Sequence, residues 1–193
     1  MKRNLILLFP ALLALSSILD VVAESEKGNV VEESLKNLIS QAKLMAAATT
    51  KKDFGKVADL THPIVIELNG GREEMISKTS NLIKQMSESG YYVEGVKIGS
   101  PSYTVQEGKE TFATISQEVV MRFPAGKIVS KSFLLAISED KGNTWKFVDG
   151  QGLSNEGLKK RLSIPPKLEI PEVEKPRVIR KKLESTPSQP LKD

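Results

Sequence analysis

Between Thr111 and Phe123 the chain alternates with a period of two. Ala113, Ile115, Val119, Met121 and Phe123 hold odd positions, while Thr114, Ser116, Glu118 and Arg122 hold even ones. Only an extended strand with one buried face sorts side chains this way. Lys127 to Ser138 repeats the odd parity with Val129, Phe133, Leu135 and Ile137. Pro124-Ala125-Gly126 between them fits a three-residue hairpin loop with Gly126 in the left-handed position. That loop pairs Phe123 with Lys127, Val119 with Lys131, Gln117 with Phe133 and Ile115 with Leu135. A third run, Asn143 to Asp149, extends the meander if Ile137 faces Trp145. Gln117, Phe133 and Asp149 then share a row on the inner face, and Val119, Lys131 and Gln151 share the next. The opposite end is dry, closed by Leu135, Trp145 and Phe147. Gln117, Lys131, Phe133, Asp149 and Gln151 are therefore the candidate lining of a pocket for a small apolar or amphipathic ligand. Each polar member also has a structural role open to it. Lys131 can reach past the sheet edge, Asp149 can cap the turn at Gly150, and Gln117 can satisfy a helix terminus.

The segments before the meander read as helices with one short β-type run. Val31, Leu35, Leu38, Ala42 and Met45 recur at helical spacing. Asp53 is placed to cap a short helix from Phe54 to Leu60, which Thr61-His62-Pro63 ends because the residue before proline avoids the α region. Ile64 to Leu68 is expected as a β segment closed by Asn69-Gly70-Gly71. Arg72 to Ser89 is expected as a third helix carried by Met75, Leu82, Ile83 and Met86, with Gly90 as its stop. Tyr91–Ile98 and Ser102–Gln106 are expected as strands, and Ser154 can cap a short helix reaching Leu162.

The two ends have a different character. Lys2 and Arg3, the apolar run from Leu5 to Leu19 and the small residues of Val21-Val22-Ala23 have the pattern of a cleavable export signal. Residues 1–23 are thus expected to be removed, with 24–29 a polar lead-in and 30–164 the domain; a retained anchor is the alternative. The run is shorter than the roughly 20 residues a span needs, and no other segment approaches that length. The expected location is periplasmic or extracellular. No cysteine is present, which excludes disulfide staples and thiolate chemistry. From Glu24 to Leu158 the charge is −2, and from Lys159 to Asp193 it is +5, so the basicity lies in the tail. Six of the ten prolines fall between Pro165 and Pro190, and 165–193 is expected to be extended or disordered, with Leu168-Glu169-Ile170 able to dock. The tail has no aromatic residue to stack on a base, so no specific nucleic acid is expected.

The order of elements, together with Lys52-Asp53-Phe54, Leu60-Thr61-His62-Pro63, Gly70-Gly71 and Trp145-Lys146-Phe147-Val148-Asp149-Gly150, resembles uncharacterised exported members of the nuclear-transport-factor-2-like (cystatin-like cone) superfamily. The resemblance covers about Val30 to Leu162. It implies an α+β fold, three N-terminal helices packed on a strongly curved antiparallel sheet around a cone-shaped pocket. Enzymes of that superfamily, among them ketosteroid isomerase, place an acid or a His–Asp pair in the cone. The matching positions here would be His62 and Asp149, with Asp59 or Asp149 orienting the imidazole. A capping or packing role at the helix-to-strand turn is the favoured reading of His62. Tyr91, Tyr92 and Tyr103 are available to the cone, with nothing to fix which faces it. No phosphate loop, metal-ligand spacing or cofactor motif accompanies these residues.

Three functions follow, in order. The first is a non-catalytic small-ligand-binding module, or one that forms a homodimer through the outer sheet face around Val120, Ile128, Leu134 and Ala136. The second is a small cofactor-free isomerase, dehydratase or cyclase. The third is an envelope-associated protein tethered through its basic tail.

Overall fold

The computed structural model describes residues 13–154 and 156–181, with side chains from residue 30 onward. Helices pack on a six-stranded antiparallel sheet that does not close on itself, an α+β architecture. The helices are α1 (Leu13–Lys51), α2 (Phe54–Leu60), α3 (Pro63–Leu68), α4 (Arg72–Glu88) and α5 (Glu156–Leu162). The strands are β1 (Tyr92–Pro101), β2 (Val105–Glu107), β3 (Glu110–Phe123), β4 (Gly126–Ser138), β5 (Lys146–Asp149) and β6 (Arg177–Arg180). The sheet runs β1-β3-β4-β5, with β2 on β3 and β6 on β4. Among the described residues no helix is long and apolar enough to cross a membrane.

The α1 backbone is helical through the expected lead-in, so this element starts well before Val31. Residues 1–12 of the expected signal lie outside the described residues. Helix α2 has the expected bounds, and the Asp53 carboxylate accepts a hydrogen bond from Lys56 N at 3.0 Å. Ile64 to Leu68 is helical rather than β. Pro63 sits at the first turn of α3, where its missing N–H costs nothing, and His62 caps that turn. The extended geometry before the proline survives only at Thr61 and His62, which touch the sheet through one bridge to Phe147. Helix α4 ends where Gly90 takes a positive φ of 81°, but it buries no side chain fully and leaves Leu82 exposed.

The meander forms, with one change that moves half of its residues. Phe123 pairs with Gly126, so the hairpin loop is Pro124-Ala125 alone. The pairs become Val119–Ser130, Gln117–Ser132, Ile115–Leu134 and Ala113–Ala136. On the far side of β4 the pairing shifts equally, giving Leu134–Asp149 and Ala136–Phe147. Strands β3 and β5 keep the expected parity and β4 is inverted. Phe133-Leu134-Leu135-Ala136-Ile137 is apolar at every position, so both of its faces can be buried and its own pattern does not choose between them.

Both faces are in fact buried at this end. On one, Ala113, Ile115, Leu134, Ala136 and Phe147 pack with Leu38 and Ala42 of α1. On the other, Phe112, Phe133, Leu135 and Val148 pack with Leu153, Leu158, Leu162 and Leu168. The expected outer patch therefore breaks up: Leu134 and Ala136 lie in the core beneath α1.

The dry tip is clamped to α1. The turn from Asp140 to Asn143 lies on Ser34, Asn37 and Gln41, with Asn37 Nδ2 donating to Gly142 O and Gln41 Nε2 to Asn143 O. Trp145, fully buried, donates from Nε1 to Ser34 O (3.2 Å) and Gly142 O (3.1 Å), and from its backbone N to Gln41 Oε1. Gly142 has φ 89°, and a Cβ there would run into the Ser34 side chain.

After α5 the chain returns along the second face. Leu168 docks into the core as expected and Tyr103 donates its hydroxyl to Lys167 O at 2.8 Å. The tail is then extended and more ordered in its pairing than expected, since β6 lies along Gly126–Val129. Residues 182–193 of the expected tail lie outside the described residues.

Candidate functional site

Strands β5 and β6 share one edge of β4 without meeting. The first pairs with Leu134–Ile137 and the second with Gly126–Val129. Among the described residues, Ser130 to Phe133 have no strand partner on that side. Beside this break, Ile170–Pro176 forms a strap that borders two grooves. One groove, of about 630 Å³, has Gly99, Ser116, Glu118 and Lys131 in its floor and Pro171, Glu172 and Glu174 in its roof. Ser116 occupies the space a Cβ on Gly99 would need, so the floor stays low there. The other groove, of about 530 Å³, is more apolar, walled by Phe133, Leu153, Ile170 and Val173, with Gln151 and Lys159 at its edge. Pro171 and Glu174 border both.

The charges in the first groove are only loosely matched. Lys131 stands 3.8 Å from Glu174 and Lys97 stands 3.9 Å from Glu118. At those separations, and exposed, such pairs contribute about 0–1 kcal/mol each, so a ligand group can replace either partner at little cost.

The five pocket residues read from sequence are split by the inverted parity of β4. Gln117 and Asp149 come together: Gln117 Nε2 donates to Asp149 Oδ2 at 2.9 Å and to Ser132 Oγ at 3.0 Å. Lys131 pairs with Glu118 and Phe133 with Ser116, which places both on the opposite face. Asp149 also caps the turn that follows, accepting from Gln151 N at 2.8 Å. Gln117, Lys131, Phe133 and Gln151 nevertheless all border the grooves beside the strap. The strap itself was not legible as a wall, because nothing in its composition marks the face on which it returns.

His62 is buried, and its Nδ1 accepts from Ile64 N at 3.3 Å. Burial lowers its pKa; Glu139 opposes that shift and Lys146 adds to it. Neither expected orienting acid is bonded to it. Asp59 is held by Arg72 Nε and Nη2, which keeps its carboxyl below the usual range, and Asp149 is held by Gln117. The tyrosines are likewise engaged: Tyr91 stacks on Phe123, Arg122 lies over Tyr92, and Tyr103 donates to Lys167 O. Gly70 and Gly71 form a tight turn with φ 92° and 98°. Among the described residues no cluster of three metal-ligating side chains occurs.

No protein-family model matches the sequence, and no curated protein matches it.

Proposed function

We propose that this protein is an exported, non-catalytic binding module of the nuclear-transport-factor-2-like kind, and that its site is the broken edge of β4 beneath the strap. One observation carries the reading: the four-residue interruption at Ser130–Phe133 coincides with two grooves, one charged and one apolar, that share a roof. A small amphipathic ligand fits this division. Its apolar body lies against Phe133, Leu153 and Val173, and its charged head replaces Glu174 at Lys131. Export through removal of residues 1–23 is part of the same reading, supported by Lys2-Arg3, the Leu5–Leu19 run and Val21-Val22-Ala23. The packing of α1 and α2 on one face of an antiparallel sheet supports the superfamily assignment.

Titration with 1-anilinonaphthalene-8-sulfonate, an aromatic body with an anionic head, tests the site. Saturable one-to-one binding is expected. Lys131→Glu is expected to weaken it at least about fivefold, since reversing one charge near 4 Å changes the interaction by more than about 1 kcal/mol. Ser116→Trp, which fills the floor, is expected to weaken it as well. Dye binding that is absent, or indifferent to both variants, defeats the assignment.

A further inference from the structure

Every residue from Glu169 to Lys181 is exposed, so β6 is held to the domain by main-chain pairing rather than by packing. Val178 and Ile179 leave 56% and 53% of their surface in water. Its acceptor, by contrast, is shaped for it. Gly126 lies opposite Arg180, and a Cβ on Gly126 would run into the backbone of Ile179 and Arg180. Lys181 N closes the pairing on Ala125 O at 2.8 Å. A glycine at that position lets a strand approach more closely than any other residue would allow.

We propose that β6 is an exchangeable strand, and that the partner surface it fits is the Gly126–Val129 edge of a second copy of this chain. The occupant is identified by fit: Arg177-Val178-Ile179-Arg180 is the strand whose register and close approach match this edge. The hinge is suited to exchange. The eight residues Glu169 to Pro176 separate buried Leu168 from Arg177, a reach of about 30 Å when extended. Pro171 and Pro176 within it favour extended over folded-back chain. Swapping loses none of the β6 ladder, because each copy recovers the same pairing from its neighbour and closes a two-fold dimer. The exchange does not depend on a ligand in the grooves.

The absence of native cysteine allows a direct test. Ile128 and Val178 are ladder partners, within the Cα separation a disulfide bridges. Full-length I128C and V178C, separately labelled by mass, are mixed, incubated at high concentration and oxidised. The expected product is a covalent heterodimer whose joined peptides contain positions 128 and 178, with yield rising with concentration. Gly126→Val is expected to reduce that yield at least fivefold, while S40C, exposed on α1, gives no link to V178C. The double variant I128C/V178C, oxidised when dilute, must give an intrachain bond, which establishes that β6 and its edge are formed. An intrachain bond in the double variant with no interchain 128–178 link in the mixture overturns the proposal. Capture by I128C of a synthetic Glu172–Lys181 peptide carrying cysteine at 178, without capture of a second full chain, overturns it too, since the edge would then accept free strands but not copies.

Discussion

Gly142→Ala is the most informative single change in the clamp. The new methyl group meets two obstacles that can be separated. The first is backbone: a φ of 89° costs a residue with a Cβ about 1–2 kcal/mol. The second is contact: the methyl group lands on the Ser34 side chain of α1, and overpacking of this kind costs about 1–3 kcal/mol. A loss of about 2–5 kcal/mol is expected, a large share of the roughly 5–15 kcal/mol that holds a domain folded. Urea unfolding followed by fluorescence is suited to the measurement, because the chain's one tryptophan, Trp145, is buried in this clamp. With a slope of about 2 kcal/mol per molar urea, the midpoint falls by about 1–2.5 M. Ser34→Gly removes the obstructing side chain at a helix cost of about 1 kcal/mol. In that background the methyl group meets only the Cα of residue 34, at 3.1 Å, so Gly142→Ala should cost chiefly the backbone part, leaving a coupling of about 1–3 kcal/mol. Effects that add to within about 0.5 kcal/mol would refute the close approach. A single-variant loss below about 1 kcal/mol would refute the backbone argument as well.

Two further outcomes concern the polar residues of the sheet and its helices. Because burial lowers the His62 pKa below 6.5, the unfolded chain binds more protons as the medium is acidified. The stability tied to neutral His62 is complete above pH 6.5 and declines as pH falls toward its folded value. His62→Asn, which keeps a capping oxygen, should flatten that part of the curve in thermal melts between pH 7 and 5; an unchanged slope counts against a buried neutral imidazole. Gln117→Leu removes the donor shared by Asp149 and Ser132, and chemical denaturation should show a loss of about 1–3 kcal/mol. No measurable loss would mean that water satisfies both acceptors.

The parts of the fold legible in the sequence are those with a local cause. Asp53 announces α2, Gly90 ends α4, and the alternation of β3 fixes its faces. Strand β4 was opaque because its apolar run suits either face, and a two-residue hairpin loop and a three-residue one differ by a single slip. Ile64–Leu68 is ambiguous for a related reason: a short apolar run after proline has no period of its own, and Pro63 with the His62 cap decides it. The second core was hidden because Leu153, Leu158, Leu162 and Leu168 are scattered through polar sequence and converge only when the chain folds back. For the site, Gln117 and Asp149 were paired correctly because β3 and β5 each kept the expected parity. Lys131 and Phe133 were misplaced with the strand that carries them.

The clamp at Trp145 also has a bearing on when the protein can fold. Its indole joins residues 111 positions apart. Until Trp145 has left the ribosome, Leu38 and Ala42 lack the indole and Phe147 that complete their cover. The entropy of closing so long a loop must be met before any of that contact is gained. Through the synthesis of α1 to β4 the two halves of the clamp are therefore apart, and the core beneath α1 can close only once Trp145 and β5 have arrived.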